Sequence, residues 1–278
     1  MTSHDFIATT PGVRMPRIVY GTAWKGERTA DCVRRALTAG FRGIDTACQP
    51  KHYHEPGVGQ GIAASGCRRE ELYLQTKFTS LAGQDPQRVP YDPRAPLAEQ
   101  VAKSIQVSLQ NLGTDHLDCL VLHSPLSNPR DTLAVWRAME DGVERGLVRQ
   151  LGVSNCYDEH GFVRLCNDAR VQPVVLQNRF YADSGYDKSL RALCRARGIV
   201  YQSFWTLTAN PQLLGHRVVR ELSARHGLTP AQVLLRYLTH EGVVPLTGTQ
   251  SDQHMREDLA LFAAELSESE RAQISALL

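Results

Sequence analysis

Short apolar runs alternate with amphipathic segments from one end of the chain to the other. Runs rich in Val, Ile, Leu and aromatic residues read as strands at residues 18–21, 43–45, 72–76, 117–122, 151–153, 174–177, 199–204 and 243–246. Between them, helical spacing of apolar positions predicts helices such as 28–39, 97–112, 132–144 and 229–240, with Gly40, Gly113 and Gly146 as C-terminal stops. Strand followed by helix, repeated eight times, predicts a parallel sheet, and eight such units close into a (β/α)8 TIM barrel. Ahead of the first strand, residues 5–16 carry Pro11-Gly12 between two β-capable runs, which predicts an N-terminal β-hairpin plugging one end of the barrel. The least regular connection, residues 79–96, contains several prolines and predicts a functional loop over one barrel mouth.

Composition narrows the class of partner. At 278 residues the chain could hold two domains, but α/β barrels use about 250 residues as one, so a single domain over 1–278 is expected. Hydrophobic residues make up 42%, charged residues 22%, and the net charge is +2, which offers no field for nucleic acid or an anionic membrane. The seven cysteines are scattered and never form a CxxC pair, which favours reduced thiols in a cytoplasmic setting over disulfides or a zinc site. The N-terminus shows no basic stretch ahead of an apolar run, so neither export nor membrane insertion is expected. A small molecule is the expected partner, and the pattern specifies no oligomeric state.

In a barrel of this kind catalytic groups sit at the C-terminal ends of the strands, where the following loops converge. Those positions hold Asp45, Thr76-Lys77, His123, Ser154-Asn155, Gln177-Asn178, Phe204-Trp205 and Thr247-Gly248-Thr249. Read singly, each serves equally well as a cap or turn former. Together they form a polar ring that invites chemistry. The segment after Asp45, TACQPKHYHEPGVGQGI, adds Tyr53 as a candidate proton donor, with His52 and His54 as rim residues or metal ligands. These two histidines alternate along an extended segment and so point oppositely, which does not suit two ligands of one metal; no metal is expected.

GIDTA, LQTKF, LDCLVLHSP and LGVSN, in this order and spacing, resemble the aldo-keto reductases, NAD(P)H-dependent (β/α)8 enzymes. The resemblance covers nearly the whole chain. It implies a tetrad of Asp45, Tyr53, Lys77 and His123, the tyrosine being reached only by assuming about two inserted residues, because Pro50 holds the usual tyrosine position. Carbonyl reduction needs a hydride and a proton, and a phenol is a weak acid at neutral pH. Lys77 is expected to lower the Tyr53 pKa, Asp45 to keep that ammonium charged, and His123 to orient the substrate oxygen.

The resemblance further implies a cofactor site of Gly21, Thr22, Asp45, Ser154, Asn155, Gln177, Phe204, Trp205, Thr247, Gly248, Thr249, His254 and Asp258. Phe204 takes the stacking position usually held by tyrosine, and Trp205 replaces a serine that touches the pyrophosphate. Leu246 stands at the usual lysine and His254 near the usual arginine, with Arg256 as a substitute cation. NADPH is the expected cofactor, with NADH as the alternative. Trp24, His54 and His123, with Pro50 and the 79–96 loop, are expected to form the substrate pocket. Aromatic and apolar walls suit aryl or alkyl aldehydes and ketones, and the chain closing at Leu278 soon after its last helix suggests an open mouth that accepts bulky carbonyl compounds. Two rival readings stand beside this one: a nicotinamide-binding sensor with weak or no turnover, and metal-dependent hydrolysis through His52, His54 and Asp45.

Overall fold

The apolar runs pair side by side in chain order because each is too short to bury its two faces alone. In the computed structural model, which describes residues 6–278, β1 (Phe6–Ala8) and β2 (Arg14–Pro16) form an antiparallel hairpin turned at Gly12. Asp5, included in the expected hairpin, lies outside the described residues. The barrel strands are β3 (Val19–Gly21), β4 (Gly43–Asp45), β5 (Tyr73–Phe78), β6 (Cys119–Leu122), β7 (Leu151–Ser154), β8 (Pro173–Arg179), β9 (Val200–Phe204) and β10 (Val244–Thr247). Every neighbouring pair is parallel, and β10 closes on β3.

Helices α1 (Thr29–Ala39), α2 (Glu55–Ser65), α3 (Leu97–Leu112), α4 (Pro129–Glu144), α5 (Glu159–Asp168) and α6 (Lys188–Arg197) alternate with the strands as far as β9. After β9 come α7 (Pro211–Leu214), α8 (Arg217–His226) and α9 (Pro230–His240); α10 (Asp252–Ala260) and α11 (Glu268–Ser275) follow β10. Capping chemistry sets their ends. Thr229 caps α9 by accepting from the Gln232 amide, and Asn128 caps α4 at Pro129, three residues ahead of the expected start. Gly113 ends α3 in the left-handed region at φ 66°, where a Cβ would be strained.

The main core lies between the barrel wall and the helices, with Trp136, Phe41, Phe78 and Phe162 fully buried. A smaller cluster fills the barrel floor, where Val13 and Met15 of the hairpin meet Val19, Tyr73, Val121 and Val244. The hairpin therefore closes the N-terminal end and leaves the C-terminal end for the loops. Among the described residues no helix is long and apolar enough to cross a membrane.

Candidate active site

The open end of the barrel holds a cavity of about 1120 Å³. At its floor the Lys77 ammonium is fully buried and donates to both Asp45 oxygens, at 2.7 and 2.6 Å, and to the Thr46 carbonyl at 2.8 Å. A buried charge persists only when paired in this way. Lys77 lies within β5 rather than just beyond it, because the strand runs to Phe78.

Tyr53 arrives over this pair. The two extra residues after Asp45 are absorbed by a turn in which the Gln49 carbonyl accepts from the His52 and Tyr53 amides, with Pro50 at the corner. The side chain of Gln49 donates to the Gly83 carbonyl at 2.7 Å, tying this turn to the loop after β5. On the other side, α2 begins at Glu55, whose buried carboxyl accepts from Thr76 at 2.5 Å and from Ser108 at 2.9 Å. The glycine run that follows lets α2 press against its neighbours: a Cβ on Gly59 would collide with the Asn111 carbonyl. Tyr53 is thus pinned from both flanks, and its ring lines the cavity with the Lys77 nitrogen 5.2 Å from the ring centroid.

The electrostatics differ in one respect from expectation. Burial raises the Tyr53 pKa, and the Lys77 charge pulls against that rise without overcoming it. The phenol therefore keeps its proton at neutral pH. Burial also works to lower the Lys77 pKa, but the Asp45 carboxylate outweighs it and the net direction is up. His123 packs edge-on against Tyr53 at 5.9 Å, and burial with the Lys77 charge lowers its pKa to about 3, so it is neutral. Its Nδ1 lies 2.7 Å from the Thr79 hydroxyl, and Nε2 has no hydrogen-bond partner among the described residues.

A ladder of buried amides supports the floor. Gln75 and Gln177 both donate to Asp45 Oδ1, at 2.7 and 3.0 Å, and both donate to Gln202 Oε1 at 2.9 Å. Because a carboxylate only accepts, this fixes the orientation of each amide. Below Gln75 the donors continue head to tail: Tyr73 donates to Gln75 Oε1, Gln150 to Tyr73, and Thr9 of the hairpin turn to Gln150. Above, Gln177 turns its oxygen toward the cavity it lines, with no hydrogen-bond partner among the described residues. A carboxamide NH2 is the complement of such an acceptor. Ser154 and Asn155 line the same wall, Asn155 held by its bond to the His123 carbonyl at 2.8 Å. A nicotinamide carboxamide fits these three residues.

The far end of the cavity is built from Gly21, Leu246, Thr247, Gly248, Thr249, His254, Glu257 and Asp258. Lys25 holds the Gly248 carbonyl at 2.8 Å and Tyr20 the Thr249 carbonyl at 2.7 Å. Their planar trans peptides turn the following N–H groups to the opposite side, beside the N-terminus of α10 capped by Ser251. Thr247 donates to Asp258 at 2.6 Å, and burial raises the Asp258 pKa to about 6. Phe204 and Trp205 line the span between the two ends.

Three non-glycine residues of the cavity wall, Trp24, Asn155 and Trp205, have φ of 62°, 51° and 55°. Strain of this kind gathers where side chains must be presented rather than packed.

Some expected residues are placed elsewhere. His54 is exposed and outside the cavity lining; His52 takes that role, its ring 3.9 Å from Trp24, because alternation along the segment turns only one of the two inward. Thr22 is buried, and its hydroxyl is consumed by the Asp45 carbonyl at 2.9 Å. Arg256 is exposed and does not line the cavity, nor does Pro50. Of the loop after β5, only Thr79 and Gly83 do. Among the described residues no group of three or more His, Cys, Asp or Glu is placed to hold a metal. Thr79 belongs to the 79–96 loop expected in the pocket wall, whereas Gln75, Gln202 and Arg179 were not anticipated. The last three each lie two residues before or after an expected position on a strand, so the two-residue period of the sheet was the signal to follow.

Residues 17–278 match the family described as Aldo/keto reductase family. The chain is 32% identical over 276 residues to glyoxal reductase of Bacillus subtilis (strain 168), covering 98% of this chain and 92% of that protein. An aldo/keto reductase structure from Brucella melitensis superposes with a TM-score of 0.85 at 26% identity, covering 98% of this chain and 99% of that one. An aldo-keto reductase of the silkworm Bombyx mori, solved in complex with NADP, gives 0.80 at 27% identity, with 98% and 92% covered.

Proposed function

Because this chain belongs to the aldo/keto reductase family, we propose that it reduces small aldehydes and ketones to alcohols with NADPH, Tyr53 giving the proton. The observation that carries this reading is the stack at the cavity floor: phenol over ammonium at 5.2 Å, ammonium on carboxylate at 2.6 and 2.7 Å. When bound, the nicotinamide cofactor supplies the hydride. The Tyr53 O–H bond breaks as the carbonyl oxygen takes its proton, and the negative charge left on the phenol is met by Lys77 beneath it. Asp45 keeps Lys77 charged through that change, and the glutamine ladder keeps Asp45 in place. With the Thr79 hydroxyl donating to Nδ1, neutral His123 would carry its hydrogen on Nε2 and offer it as a hydrogen bond to the substrate oxygen, which orients the carbonyl.

Ser154, Asn155 and Gln177 would hold the carboxamide, Phe204 would stack on the ring, and the adenosine half would lie along Thr247 to Asp258. The NADP complex of the silkworm relative supports NADPH. With no lysine or arginine among the lining residues of the far end, a 2′-phosphate would rest on backbone amides and the α10 N-terminus, so NADH is expected to be accepted too. The relative named glyoxal reductase supports short dicarbonyl aldehydes as substrates. The test is NADPH oxidation, followed by absorbance, with glyoxal, methylglyoxal, an aryl aldehyde and a ketone. Turnover strongest on the short dicarbonyls is expected. NADPH binding without turnover of any of them would leave a cofactor-binding protein and contradict the reading.

A further inference from the structure

We propose that Arg179 is the residue that receives the pyrophosphate of the dinucleotide, an inference that rests on the cofactor reading above. Among the described residues lining the cavity Arg179 carries the one permanent positive charge, against carboxyl groups at Asp45, Glu257 and Asp258. Lys25, the nearest other candidate, is buried outside the lining and spends its ammonium on the Gly248 carbonyl. No carboxylate pairs with Arg179 among the described residues, and its Nε is sealed from solvent without a hydrogen-bond partner. Its guanidinium instead stacks 4.2 Å over Trp205 and 5.1 Å from Tyr181. Stacking fixes the plane of the fork and leaves its edge N–H groups free for an anion.

The placement follows from the strands. Arg179 is two residues beyond Gln177 on β8, so it shares that residue's face and stands about 6–7 Å nearer the mouth. It is in register with Phe204 on β9. A dinucleotide with its carboxamide at Gln177 and its adenosine at β10 must carry its central phosphates across the end of β9, where Trp205 sits under the guanidinium. The Trp205 backbone, at φ 55° with its carbonyl accepting from Ala209, holds that indole outward at 46% exposure. A charge-assisted, geometrically fixed contact to phosphate is worth about 10- to 100-fold in affinity.

The experiment measures NADPH and NADH binding by calorimetry for the wild type, Arg179→Met and Arg179→Lys, with inorganic pyrophosphate as competitor and melting curves as a control of folding. Arg179→Met is expected to weaken both dinucleotides together by about 10- to 100-fold, Arg179→Lys to recover part of the loss, and pyrophosphate to compete only in wild type and Arg179→Lys. Unchanged binding of both dinucleotides overturns the proposal. Loss confined to NADPH also overturns it, since the arginine would then read the 2′-phosphate. Loss only in KM for a carboxylate-bearing aldehyde such as glyoxylate, with dinucleotide binding intact, assigns the arginine to substrate instead. A wild type that binds neither dinucleotide removes the cofactor reading itself.

Discussion

The two ends of the cavity are made differently. At the Tyr53 end every charge meets its opposite inside the protein: Lys77 on Asp45, Asp45 under two glutamine amides, and a neutral His123 locked by Thr79. At the Thr247–Asp258 end the lining offers backbone amides, a helix N-terminus and two acids, and the α10 basic residue Arg256 turns away. The first end is set before anything binds, as a site that must stabilise charge during a reaction requires. On the proposed reading the second would receive a phosphate but is poorly built to demand one. If the proposed function holds, the difference makes reaction and cofactor choice separable, so that each should be breakable without the other.

The largest effect is expected at the buried pair. Lys77→Met leaves the Asp45 carboxylate buried without a counter-charge, which should cost about 3–5 kcal/mol of stability and abolish turnover. Adding Asp45→Asn should restore much of the stability in chemical denaturation while turnover stays absent. Recovery of turnover in the double variant would show that the ammonium acts only as a structural partner.

A smaller effect sharpens the contrast at the far end. Asp258 has its pKa raised to about 6, so it is ionised at pH 8 and neutral at pH 5. Asp258→Asn should tighten NADPH binding by about two- to five-fold at pH 8 and leave it unchanged at pH 5, with NADH affected less at either pH. An equal gain at both pH values would remove charge as the cause.

A separate, acid-side effect concerns His123. Its pKa falls from about 6.5 to about 3 on folding, so between those values the unfolded chain binds more protons than the folded one. Stability contributed by this position is therefore lost as pH falls below 6.5. His123→Gln should flatten that acid-side slope in unfolding measured from pH 7 to 4. The wild-type kcat should show no inflection near pH 6.5 that His123→Gln removes.

Much of this arrangement is legible in the sequence because barrels place function at strand ends. Asp45, His123, Ser154 and Gln177 fall there by counting apolar runs, and the structure brings them to one cavity. Tyr53 is harder, since its place depends on a turn whose two extra residues only the Gln49 carbonyl explains. His52 and His54 cannot be ranked from spacing alone; which of two alternating residues faces inward depends on where the preceding turn leaves the chain. Gln75 and Gln202 read as ordinary strand residues, and their role emerges only when β5 and β9 meet across the barrel axis. The Tyr53 pKa direction was not legible either, because burial and a nearby charge oppose each other and only the packing decides the winner.

The most direct measurement is the turnover of Tyr53→Phe on methylglyoxal, with its NADPH affinity determined alongside. Removing one hydroxyl from a ring already held by its neighbours should lower kcat by about a hundred- to ten-thousand-fold, with NADPH affinity within about two-fold of wild type. Turnover that survives the substitution unchanged would mean that the proton comes from another group and that the stack over Lys77 is not the catalytic centre.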